Sequence, residues 1–164
     1  NVAKQNRPLT DAEIFAVDAW TVYTGYRDHV NQTRLDGFYE EAKARLAPFN
    51  VTLVRKFSID AAQDFGDGSL DFVYIDANHT FEHVVADLAA WTPKVREGGI
   101  VSGHDYIHRK NYSYGMHVVE AVHGYMSSYR LGPLTILGSK VVLAGEVREK
   151  PRSWMFRAGH RQTG

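Results

Sequence analysis

Cysteine is absent from the 164 residues. That excludes disulfides and thiolate metal sites, and leaves the compartment open. Net charge is absent as well, because 19 basic residues balance 19 acidic ones. A neutral chain gives no electrostatic reason to expect nucleic acid or an anionic membrane surface as partner. No apolar run reaches the roughly 20 residues of a membrane-spanning helix, and no signal peptide is visible. There is no internal repeat, low-complexity tract or interdomain linker. A cytoplasmic protein with a small-molecule partner is the expectation that remains. The start has no methionine either: the chain opens Asn1-Val2-Ala3-Lys4 and soon enters a strand-like segment. It reads as a piece of a longer protein.

What is present fits one folded α/β domain over residues 1–164. The apolar fraction is 44% and the aromatic fraction 12%, enough for a real core. Four short apolar runs read as strands: Ile14 to Val17 closed by Asp18, Val51 to Val54, Phe72 to Ile75 between Asp71 and Asp76, and Ile100 to Gly103 after a turn at Glu97-Gly98-Gly99. Runs that are apolar at every position suit strands covered on both faces, as in parallel sheets. Helix-period segments alternate with them. Phe38, Ala42, Leu46 and Phe49 form one stripe; Phe81, Val84, Val85, Leu88 and Trp91 form another, with Pro93 as its stop and Asn78 or Thr80 as its cap. Met116, Val119, Val122 and Met126 make a third, core-facing stripe that continues to Tyr129 before Gly132-Pro133. Such alternation predicts right-handed crossovers and a doubly wound, mostly parallel sheet. Val141 to Val147 and Ser153 to Arg157, separated by Pro151, read as an antiparallel hairpin at the sheet edge.

Ligands of open parallel sheets bind outside the carboxyl ends of the strands. Asp18, Asp76 and His104-Asp105 each close a strand there, and Ser58 and Asp60 follow another. This shared position is the physical pointer to function. His79 precedes a helix start and His83 lies four residues on, a spacing that suits zinc and also suits one buried and one exposed histidine. Neutral beside a helix N-terminus, His79 is a candidate general base. The polar aromatic loop from Tyr106 to Tyr114 reads as a substrate lid or a wet connector. Trp20, Trp91 and Trp154 need only packing and strand-end shielding to explain them.

Asp71-Phe-Val-Tyr-Ile-Asp-Ala-Asn-His79, Asp87-Leu-Ala-Ala-Trp91 and Gly98-Gly-Ile-Val-Ser-Gly-His-Asp-Tyr106 together resemble the class I S-adenosylmethionine-dependent methyltransferases of the family-24 type, a Rossmann-like family. Ala12 to Trp20 is similar to that family's second strand, and Ser58 to Ala62 to the segment after its third. The resemblance spans roughly residues 12 to 106. It implies S-adenosylmethionine as cofactor, with Asp18, Ala19 and Trp20 at the ribose, Ser58 and Ile59 at the adenine, and Asp76 nearby. It also implies a divalent cation between Asp76 and Asp105, since neighbouring strands lie about 4.8 Å apart and carboxylates suit magnesium, manganese or calcium. The catechol-type pattern has Asp-Asn where this chain has Asp105-Tyr106. His79, His104 and Asp105 are the candidate catalytic residues.

The implied reaction is methylation of a sugar-like or phenolic hydroxyl. The alternatives are a non-catalytic methyltransferase-like module for binding or assembly, and a nicotinamide dehydrogenase with Asp18 on the ribose, against which the Gly-His-Asp-Tyr strand end speaks. The family's first strand and glycine-rich turn have no counterpart, since none of the 14 glycines forms a Gly-x-Gly cluster after a strand near the start. That strand belongs between the ones ending at Asp18 and Asp76. The expectation is therefore that these two do not pair with each other, and that an upstream segment or another copy completes the sheet.

Overall fold

The apolar runs become strands in the computed structural model, which describes residues 12–23, 31–107, 116–137 and 152–159. The chain divides into two compact units, residues 1–61 and 62–164. In the first, β1 (Ile14–Asp18) pairs in parallel with β2 (Val51–Arg55), in a register that sets Asp18 opposite Arg55. Helix α1 (Gln32–Leu46) connects them. Asn31 caps it, its side chain accepting from the Arg34 amide, and Lys43 and Arg45 occupy the last turn, where cations oppose the helix dipole. The expected stripe on this helix is not a buried face: Leu35 is the buried residue, while Phe38 and Phe49 are exposed. The short helix α2 (Ser58–Ala62) follows β2.

The second unit holds a four-stranded sheet in the order β3-β4-β6-β5. Strand β3 (Leu70–Ile75) lies parallel to β4 (Val95–Tyr106); β6 (Arg152–Arg157) is antiparallel to β4 and to the two-residue β5 (Thr135–Ile136). Helices α3 (Phe81–Trp91) and α4 (Val118–Ser128) cover one face. Val84, Leu88, Val118, Val122 and Met126 pack there with Val101, Trp154 and Phe156 in a single core. Of the stripes read from the sequence, Val84, Leu88 and Trp91 of α3 and Val119, Val122 and Met126 of α4 are buried, while Phe81 and Tyr129 at their ends are exposed. Pro93 enters a 3-10 turn, Thr92–Lys94, directly after α3.

The α/β class with parallel pairing is as expected, and two details differ. Glu97-Gly98-Gly99 is not a turn ahead of the strand but part of β4, whose ladder to β3 jumps from Leu70↔Val95 to Phe72↔Ile100. Gly98 absorbs the irregularity at φ 73°, a conformation that costs glycine little. And β6 is not at the sheet edge. It lies between β4 and β5, with Trp154 and Phe156 buried, because its apolar face is needed in the core. The segment Val141 to Val147 lies outside the described residues, as does most of the expected lid. Among the described residues β1 pairs with β2, and β3 with β4.

Candidate functional site

In the first unit the chain leaves β1 through a tight turn. The exposed Asp18 carboxylate accepts the Trp20 amide at 2.7 Å, and Trp20 stands at φ 42°, a left-handed conformation that a bulky residue holds only under constraint. The constraint is visible. The Trp20 carbonyl accepts from Gln32 Nε2 at 2.9 Å and from Arg55 Nη2 at 3.1 Å. Gln32 Oε1 in turn accepts the Val22 amide at 3.1 Å. Both donors also bind Asp36, and the Arg55 guanidinium, with Gln32, holds the Asp36 carboxyl below the usual carboxylate range. The Trp20 ring meets Tyr39 edge-on at 5.1 Å, and the Arg55 guanidinium lies over the Tyr39 ring. Trp20 is therefore the peg of this turn. Ser58 opens α2, and Ile59 is exposed beside it. Gln32, Asp36 and Arg55 escaped sequence reasoning; Arg55 becomes conspicuous only when the ladder sets it opposite Asp18.

In the second unit the strand ends converge. Asp76 follows β3 directly, and Asp105 is the penultimate residue of β4. Between Asp76 and the start of α3, Asn78 Oδ1 accepts the Thr80 amide at 3.0 Å. Thr80 takes the N-cap position without a side-chain cap bond. The resulting turn swings His79 back toward the sheet, where its Nε2 lies 2.8 Å from Asp105 Oδ2 and 3.5 Å from Asp76 Oδ1. The His79 carbonyl accepts the amide of His117, the residue before α4, at 2.9 Å, which fixes the turn from a second side. His104 Nδ1 lies 3.5 Å from the same Asp105 oxygen. Asp105 is the most enclosed of the cluster, with a side chain 14% exposed against 35% for His79 and 48% for Asp76. His79 lowers the Asp76 pKa by hydrogen bonding, against a smaller upward push from burial. Of the i, i+4 pair whose spacing suits zinc, His83 turns away from the cluster: its Nδ1 is 2.7 Å from Thr80 Oγ1.

Asp105 has φ 55°. It sits in a bulge, since the β4–β6 ladder passes from Gly103↔Trp154 to Tyr106↔Arg152, leaving His104 and Asp105 opposite one residue of β6. Bulges of this kind re-aim side chains beside active sites. An aspartate tolerates left-handed backbone better than most residues. The backbone thus spends strain to aim this carboxylate at His79.

Ligand atoms of Asp76, His79 and Asp105 all lie within 4.8 Å of one another. An imidazole nitrogen 2.8 Å from a carboxylate oxygen is at hydrogen-bond distance, with Nε2–H as the donor and the carboxylate as the acceptor. Two carboxylates and an imidazole suit a divalent ion such as magnesium, manganese or zinc. The sequence-derived pair Asp76 and Asp105 is therefore brought together, with His79 as the third member.

A family model described as a methyltransferase domain matches residues 1–106. An uncharacterized protein of Sinorhizobium fredii is 33% identical over 100 residues, which is 57% of this chain and 10% of that protein. Among solved structures, an S-adenosylmethionine-dependent O-methyltransferase from Thermotoga maritima superposes with a TM-score of 0.58 at 11% identity, covering 93% of this chain and 52% of that one. A tRNA (m1A58) methyltransferase from Aquifex aeolicus gives 0.53 at 15% identity, covering 88% and 53%. The chain thus spans about a tenth of its curated relative and about half of these structures. At such identities the structures show a shared Rossmann-like fold. The match over residues 1–106 shows the family: the chain belongs to the methyltransferase domains.

Proposed function

We propose that the protein is an S-adenosylmethionine-dependent O-methyltransferase of the cytoplasm, acting on a small phenolic or sugar-like hydroxyl with the help of a divalent cation. The observation that carries this reading is the convergence of Asp76, His79 and Asp105 at two strand ends in a methyltransferase domain. O-methylation draws further support from the Thermotoga maritima protein, itself an O-methyltransferase.

Bound S-adenosylmethionine would supply the methyl group, carried on a sulfonium and passed to the acceptor oxygen in exchange for the hydroxyl proton, leaving S-adenosylhomocysteine. Such a displacement depends on alignment more than on covalent help from the protein. Asp18 binds the ribose hydroxyls, with its turn held by Gln32 and Arg55. Asp76, His79 and Asp105 would hold the cation, which when bound would supply Lewis acidity toward the acceptor oxygen. His104, whose Nδ1 faces Asp105, takes the hydroxyl proton at Nε2.

Two results test this. Isothermal calorimetry with S-adenosylhomocysteine should show Asp18→Ala weakened by about 1.5–3 kcal/mol, the worth of a hydrogen bond to a charged group; unchanged affinity removes Asp18 from the ribose. Methyl transfer to a panel of catechols and sugars should vanish in excess chelator and return with magnesium or manganese. Full activity in chelator would remove the cation and leave a hydrogen bond between His79 and Asp105. No transfer to any acceptor, with cofactor bound, would favour a binding module.

A further inference from the structure

Trp154 does more than fill the core. It is 1% exposed, and its indole N–H donates to the His104 carbonyl at 3.0 Å. That carbonyl lies in the bulge, where the β4–β6 ladder skips from Gly103↔Trp154 to Tyr106↔Arg152. A buried carbonyl in a bulge needs a donor that the partner backbone does not supply in regular register. Here the donor comes from a side chain of the partner strand. Two other contacts hold the residue in place, one at its backbone and one at its ring. Ser102 Oγ donates to the Trp154 carbonyl at 2.6 Å. At Gly103 the indole rests where a Cβ would stand, 2.4 Å from Cζ2. The chain then turns through Asp105 at φ 55°, and the Ile107 amide closes back on the Asp105 carbonyl at 2.8 Å.

We propose that Trp154 is a positioning residue: its indole N–H holds the His104 carbonyl and so aims the Asp105 carboxylate at His79. The proposal rests on the functional reading above only in giving that turn a chemical task. A residue about fifty positions away in sequence thereby sets the geometry of the site, with no contact to substrate or cofactor required.

The test removes the N–H, once with the five-membered ring and once with the bicycle kept. Trp154→Phe, and a second variant carrying the benzothienyl analogue of tryptophan at position 154, in which sulfur replaces the N–H at nearly constant shape, are compared with Phe156→Leu, a change at an equally buried neighbour in β6. Hydrogen exchange of the Ile107 amide should accelerate in both position-154 variants, while the α4 amides keep their protection. With any catechol or sugar acceptor that the unaltered protein methylates, kcat should fall by about tenfold or more, as expected for a misaimed group, with S-adenosylhomocysteine affinity unchanged. Phe156→Leu should lower the melting temperature without moving either readout. If Trp154→Phe does not fold, the benzothienyl variant decides alone. Unaltered exchange at Ile107 together with unaltered kcat in that variant overturns the proposal. If the unaltered protein transfers no methyl group, the catalytic reading fails by itself, and the exchange result still decides whether Trp154 holds the turn.

Discussion

Replacing Asp105 with asparagine is expected to lower kcat by about 100-fold or more, the range in which positioned acid–base and charge groups act, while the protein stays folded. Asparagine suits the test. It matches aspartate in shape and is among the residues that best tolerate the left-handed backbone found at φ 55°, so the bulge survives the change. What it removes is the negative charge. His79 Nε2, 2.8 Å from Asp105 Oδ2, then loses its carboxylate partner, and His104 loses the carboxylate 3.5 Å from its Nδ1. Cofactor affinity should stay unchanged, because Asp18 is the residue proposed for the ribose. Asp105→Ala is less informative, since alanine at positive φ adds backbone strain to the loss of charge. A folded Asp105→Asn protein with undiminished kcat would show that the cluster is structural.

The second large effect is on stability. Gly103→Ala is expected to cost about 3 kcal/mol, the upper part of the usual range for overpacking a core, and to lower the melting temperature by about 6–12 °C for a protein of this size. An added Cβ would lie 2.4 Å from Trp154 Cζ2 and 2.5 Å from the Ile75 carbonyl oxygen. Neither can give way. The indole is 1% exposed, stacked on Phe156 at 5.9 Å and tied to His104; the Ile75 oxygen belongs to the backbone where β3 pairs with β4. Gly124, on the exposed side of α4 with nothing within 4 Å of an added Cβ, is the matched control. There alanine should stabilise by about 0.5–1 kcal/mol, because glycine is a poor helix residue. Thermal denaturation of both variants checks the contrast. Similar melting temperatures for the two would refute the packing account.

Much of the candidate site is legible in the amino-acid sequence. Asp76 and Asp105 close apolar runs, and an apolar run of strand length followed by an acid marks the carboxyl end of a parallel strand, even where, as in β3, Phe72 and Tyr74 are exposed. Helices α3 and α4 are legible for a similar reason: a stripe such as Val84, Leu88 and Trp91 carries its period in near neighbours alone. The Asp71 to His79 and Gly98 to Tyr106 segments carry the family resemblance on consecutive residues, and the family match confirms it.

The rest depends on residues far apart in the chain. His79 is readable as a partner of His83, because both lie within about one helical turn; only the loop closed by Asn78 and the β3–β4 register turn it onto Asp105. Arg55 and Gln32 look like ordinary surface residues until the β1–β2 ladder and α1 bring them to the Trp20 carbonyl. Trp154 looks like packing because a sequence does not state what an indole N–H faces. The place of β6 inside the sheet is likewise invisible, since Pro151 and two apolar stretches fit a hairpin at the edge equally well. Composition and periodicity by themselves determined the class of fold, the strands and the acids at their ends. Strand order, ladder register and the bulge at His104-Asp105 were decided by tertiary packing, because they are set by contacts between segments whose spacing in sequence carries no periodic signal.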